Sequence, residues 1–258
     1  MRLHAIEAGE GPSVVLLHGL FGAARNWGTI QRALAPRFRT IALDMRNHGA
    51  SPHASGMRYA DLAADVLETL DALNALPAAV IGHSMGGKAA MAAALTQPGA
   101  VGRLLVSDIA PVIYHHGNAG IAAAMMAMPL EPALTRAQAS QFLADASPDE
   151  NVRAFLLSNL TLGAEPFWRI GLAEIAAAIP DLEGWEDPAS LPYAGPTLFV
   201  NGTESDYVLP EHRPAIRALF PKARFVGVKR AGHWVHADNP TGFLSVLEAF
   251  LGDSERHS

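Results

Sequence analysis

The chain has 258 residues, 50% apolar and 17% charged, a composition that builds a full core and excludes an intrinsically disordered chain. With 19 Lys and Arg against 25 Asp and Glu the net charge is -6, so nothing in the total draws the chain toward nucleic-acid phosphates or anionic lipid. The absence of cysteine excludes disulfides, a thiol nucleophile, iron–sulfur clusters and thiolate zinc sites.

Met1–Gly11 carries Arg2, His4, Glu7 and Glu10 and lacks the apolar stretch of a signal peptide, so a cytoplasmic location is expected. Val14–Leu17 is a short run apolar on both faces and predicts a buried strand, followed by His18-Gly19-Leu20-Phe21-Gly22. Thr40–Leu43 predicts a second strand and ends at Asp44. Tyr59–Leu73 places Leu62, Val66, Leu70 and Leu73 on one helical face. Ala79–Ile81 predicts a third strand, ending at Gly82, and the alanine-rich Ser84–Leu95 predicts a helix. Leu104–Val106 is a fourth strand, ending at Ser107-Asp108.

The alternation then stops. Val112–Leu191 has helical spacing and no clear strand, with Met125, Met126, Met128, Phe142, Phe155, Leu156, Leu157, Phe167, Trp168 and Ile170 as its large apolar residues. It reads as a helical insertion, residues 112–191, capping a core made of 1–111 and 192–258. Past the end of a strand is where open α/β sheets bind ligands, so a lid over an apolar pocket is expected, with methionines adapting its shape. Its longest apolar run, Ala119–Met128, is far short of the ~20 residues that span a membrane. Thr197–Val200 and Phe225–Val228 complete six strands, with helices at Pro214–Phe220 and Thr241–Leu251 and a solvated tail from Gly252 to Ser258. Strands alternating with helices predict a doubly wound, mostly parallel α/β sheet with helices on both faces.

Gly82-His83-Ser84-Met85-Gly86 matches G-x-S-x-G between a strand and a helix. A serine hydroxyl becomes a useful nucleophile when a sharp turn holds it where a base can reach it, and such a turn leaves room only for glycine two residues away on either side. The turn also sets the Met85 N–H at a helix start, where a developing oxyanion is stabilised, and the loop after the first strand can bring the Leu20 N–H to face it. His233, in Gly232-His233-Trp234 after the last strand, is the expected base, with His236 its nearest competitor and His83 a packed turn residue. Asp108 and Asp206 both follow strands and both qualify as the acid that orients the imidazole. Gly82 to Lys88 also reads G-x-x-x-x-G-K, the start of a phosphate-binding loop, but residue 89 is alanine where that loop needs a hydroxyl for its metal. The His115-His116 pair has no third partner that would make a metal site.

Together these segments resemble the α/β-hydrolase superfamily. Asp44-Met45-Arg46-Asn47-His48-Gly49-Ala50-Ser51, Gly82-His83-Ser84-Met85-Gly86-Gly87-Lys88, Asp108-Ile109-Ala110-Pro111-Val112 and Ala231-Gly232-His233-Trp234-Val235-His236-Ala237 resemble its YbfF-type esterase branch, over about residues 12–252. The resemblance implies hydrolysis of carboxylic esters or acyl thioesters through Ser84, His233 and an aspartate, without cofactor or metal, on a small-molecule substrate. In most of the superfamily the position matching Ser205 holds the acid. The branch takes its acid from the preceding strand, which implies Asp108, with Asp206 the alternative and Ser205 hydrogen-bonded to the pair. C–C bond hydrolysis or lyase chemistry, and a low-turnover binding protein, stand as alternatives on the same fold.

Overall fold

Side chains along each central strand alternate between two separate hydrophobic cores, and this alternation fixes the architecture. A computed structural model describes residues 1–115, 117–189 and 191–252. In chain order the first half runs β1 (Ala5–Ala8), β2 (Ser13–Leu17), α1 (Gly28–Leu34), β3 (Arg39–Leu43), α2 (Tyr59–Ala72), β4 (Ala78–His83), α3 (Met85–Thr96) and β5 (Val101–Ser107). Then come α4 (Asn118–Ala127), α5 (Arg136–Phe142), α6 (Glu150–Leu157), β6 (Leu160–Thr161), β7 (Phe167–Trp168) and α7 (Leu172–Glu183). The chain closes with β8 (Thr197–Gly202), α8 (Arg213–Leu219), β9 (Ala223–Val228), α9 (Val235–Asp238) and α10 (Pro240–Gly252).

Seven strands form one sheet in the order β1-β3-β2-β4-β5-β8-β9. All its neighbours run parallel except β1, which pairs antiparallel with β3. Val15, Leu17, Val80, Leu104 and Val106 face α2 and α3, while Val14, Leu16, Ile81, Leu105 and Val200 face the opposite core with Trp27, Ile30 and Leu34 of the α1 region and Phe243, Leu247 and Phe250 of α10. Residues 112–191 lie between β5 and β8, and Met125, Ala139, Leu156 and Ile175 pack into the core on the α2–α3 side. Among the described residues no helix is long and apolar enough to cross a membrane.

Three features differ from the sequence reading. β1 is an edge strand with Ile6 and Glu7 exposed, so it has no buried run to announce it. The insertion contains a strand pair, Leu160 opposite Trp168 and Thr161 opposite Phe167, too short to carry a period. α1 is a short helix without a side-chain cap. His116, the second of the His115-His116 pair, and 253–258, most of the expected solvated tail, lie outside the described residues.

Candidate active site

The site is built where the parallel strands end. β4 stops at His83, α3 begins at Met85, and Ser84 makes the corner with φ 52° and ψ -121°, a conformation unfavourable for a residue with a side chain. The surroundings enforce it. The Ser84 N–H donates to Ser107 O at 3.0 Å, and Ser84 O accepts from the Lys88 N–H at 3.0 Å. The corner closes only because its flanks have no side chains: a Cβ on Gly82 would sit 2.2 Å from Gly86 O, and one on Gly86 would sit 2.5 Å from Leu17 O. Ser84 is half-buried and lines a cavity of about 530 Å³.

His233 lines the same cavity, in the loop between β9 and α9. Its Nδ1 lies 2.8 Å from Asp108 Oδ2. Asp108 directly follows β5, is fully buried, and has φ 54°. The Ser205 hydroxyl donates to Asp108 Oδ2 at 2.5 Å and the Gly202 N–H donates to Oδ1 at 3.1 Å. Burial pushes the Asp108 carboxyl up to about 7, aided by the nearby Asp206 charge and opposed by the Ser205 and Gly202 donors. Asp206 itself is exposed on the turn after β8.

Of the residues around His233, Tyr207 carried no signal in the sequence, while His83 is the packed turn residue expected. The Tyr207 ring stacks on the imidazole with centroids 3.7 Å apart. His83, fully buried, donates from Nε2 to His233 O at 2.8 Å, and burial together with the neighbouring His233 holds it well below its ordinary pKa. It is therefore a neutral strut. His236 also borders the cavity, but it is buried and stacks on Trp27 at 4.2 Å, on the side of the sheet with α10.

The loop after β2 lies against the corner: a Cβ on Gly19 would sit 3.2 Å from Ser84 Cβ. Leu20 and Met85 both line the cavity, and Met85 heads α3, so its N–H has no acceptor one turn back. Two neutral histidines pin the loop. His18 donates from Nδ1 to Gly19 O at 2.8 Å and accepts the Met45 N–H at Nε2. His48 accepts the Phe21 N–H at Nε2, 3.0 Å, and donates from Nδ1 to Arg46 O. Burial lowers both rings, His48 to about 3. Asp44 ties the two loops by accepting N–H groups of Ala24 and Ala50; burial works to raise its carboxyl, and these donors outweigh it.

The cavity walls come from both parts of the chain. Ile109 belongs to the core, and Ile121, Val152, Phe155, Leu156 and Leu182 to the insertion. The methionines expected to shape this pocket do not: Met125 and Met128 are buried in the α2–α3 core and Met126 is exposed. Helical periodicity marked their face as apolar without saying which layer it would meet. Lys88 donates to backbone carbonyls rather than standing over a phosphate cradle, which removes the nucleotide-loop reading.

A strained serine corner above a parallel sheet defines a class, and the chain belongs to it: the model of the alpha/beta hydrolase fold family matches residues 12–240. Within that family it falls in the YbfF-type esterase branch, a branch of carboxylic ester hydrolases. It is 39% identical over 242 residues to "Esterase YbfF" of Escherichia coli K12, covering 93% of each chain. It is 38% identical over 249 residues to the mouse "sn-1-specific diacylglycerol lipase ABHD11", covering 93% of this chain and 81% of that one. The solved structure of a "Marine microorganism esterase" superposes with a TM-score of 0.92 at 33% identity, over 96% of this chain and 99% of that one.

Proposed function

We propose that the chain hydrolyses carboxylic esters or acyl thioesters of apolar acyl groups through an acyl-enzyme on Ser84. His233 Nε2 takes the Ser84 proton as Oγ attacks the carbonyl carbon. The N–H groups of Leu20 and Met85 hold the oxyanion, each contributing about 3–4 kcal/mol in the transition state. Collapse breaks the bond to the alcohol or thiol, which leaves with the proton from His233. Water, deprotonated by the same ring, then attacks the acyl carbon and frees Ser84. Asp108 keeps the proton of the imidazole on Nδ1 and stabilises the cation, with Ser205 orienting the carboxylate. Residues 112–191 act as a cap that supplies the acyl-facing wall. The observation that carries this reading is the 2.8 Å contact of His233 Nδ1 with Asp108 Oδ2 behind a serine held in a strained corner.

A fluorophosphonate probe tests it. Labelling at Ser84 is expected, lost in Ser84→Ala, together with hydrolysis of p-nitrophenyl esters that the same change lowers by about 10^4-fold or more. Turnover that persists in Ser84→Ala overturns the reading.

A further inference from the structure

Lys88 stands one turn beyond Ser84 on α3, and its side chain is 1% exposed. It ends at the neck of the insertion. Nζ donates to Val112 O at 2.8 Å, where the chain enters the insertion, and to Gly184 O at 2.6 Å and Glu183 O at 3.4 Å, where α7 leaves it. The neck is also closed by the Tyr114 N–H donating to Glu183 O at 2.9 Å. The rings of Tyr114 and Tyr59 flank the ammonium at 4.9 and 5.4 Å. Tyr59 donates to Leu182 O, and Tyr114 donates to Tyr207 O, the residue stacked on His233.

We propose that Lys88 is a positioning residue for ester hydrolysis: its ammonium joins both ends of the 112–191 insertion to the helix that begins at Ser84, and so sets the distance from the serine to the acyl-facing wall. Three donors on one rigid helix meet carbonyls from two chain segments that are about 70 residues apart in sequence, a match only an ammonium or guanidinium provides here. A methionine would fill the volume and join nothing. Burial also lowers the Lys88 pKa to about 7, with Glu183 opposing that shift. Burying an ammonium is costly, and removing it would leave the Val112 and Gly184 carbonyls without this donor, so its place is tied to the two segments it joins. Leu182 and Glu183, held at this neck, line the cavity themselves.

The proposal rests on the serine-hydrolase reading, and its test separates the two. Lys88→Met and Lys88→Arg are compared with the wild type for KM on p-nitrophenyl octanoate and acetate, and for hydrogen exchange of the Tyr114 amide, with Ser84→Ala as the inactive control. Lys88→Met is expected to raise the octanoate-to-acetate KM ratio at least fivefold and to speed Tyr114 exchange at least tenfold, with Lys88→Arg recovering most of both. Exchange at Tyr114 unchanged in Lys88→Met, or a KM ratio unchanged while exchange speeds, overturns the proposal. A wild type that hydrolyses neither ester and takes no fluorophosphonate sinks the parent reading instead. If Lys88→Met does not fold, Lys88→Gln, which loses the charge and one bond of reach, carries the same comparison.

Discussion

Asp108 and Asp206 differ in what surrounds them, and the difference favours Asp108 as the carboxylate proposed to work on the imidazole. Asp108 is fully buried, touches His233 Nδ1 and is held by two further donors; Asp206 is exposed beside it and acts on it as a charge. Asp108→Asn is expected to lower kcat by about 10^3–10^4-fold, since an amide no longer fixes the tautomer or stabilises the cation. Asp206→Asn should stay within about threefold, as expected for a screened surface charge. Steady-state kinetics on one ester decides between them, and the reverse pattern would reassign the acid. The same pair sets the pH profile. Burial raises the Asp108 carboxyl to about 7, so the His233–Asp108 unit takes up a proton as pH falls through neutrality. kcat/KM should therefore fall on the acid side of about pH 7 with unit slope, and the limb should shift to lower pH in Asp108→Asn, where the imidazole loses its neighbouring carboxylate. A profile flat from pH 5 to 8 would show that no such proton is taken up.

At the scale of the element, the loop after β2 works because a second loop braces it. His48, in the segment after β3, accepts the Phe21 N–H, and Leu20 next to it lines the cavity. His48→Leu leaves that donor unpaired in the interior, at about 1–3 kcal/mol, and frees the loop to drift. A drop in kcat of about 10–100-fold with KM within threefold is expected if the loop carries the Leu20 N–H proposed to hold the developing oxyanion. A KM effect alone would place the loop in substrate binding instead. This bracing also shows where sequence reading stops. Gly82, Ser84 and Gly86 are legible because the corner forbids other residues at those spacings. The strands between the two edges are legible because a doubly covered sheet needs unbroken apolar runs. His48 and Tyr207 are not, since their roles come from contacts between segments that only the fold brings together. Phe155 and Met126 look alike in the pattern of the insertion, yet one lines the cavity and the other faces solvent.

For the molecule as a whole, the consequence of these braces is sensitivity to acid. His18, His48, His83 and His236 are buried, each with its pKa lowered first of all by burial. In the unfolded chain each returns to about 6.5. Below that value the unfolded chain binds protons that the folded chain refuses, so stability rises with pH up to about 6.5 and is lost as pH falls beneath it. His48, held at about 3, contributes on the order of 1 kcal/mol per pH unit in that window, and the other three rings act in the same direction. Asp108 works in the other direction. Its folded pKa lies above its unfolded value, so the folded chain gains a proton first, and stability recovers between about pH 7 and 4 by a similar amount per unit. Four lowered rings, with Lys88 lowered in the same sense, against one raised carboxyl leave a net loss of stability from pH 7.5 to 5.5. Urea unfolding at the two pH values measures it. The loss should shrink by about 1 kcal/mol in His48→Leu and grow in Asp108→Asn, which removes the opposing proton. Stability independent of pH across this range would mean that the buried rings exchange protons freely in the folded state, and the bracing of both the oxyanion loop and the His233 loop would have to be drawn again.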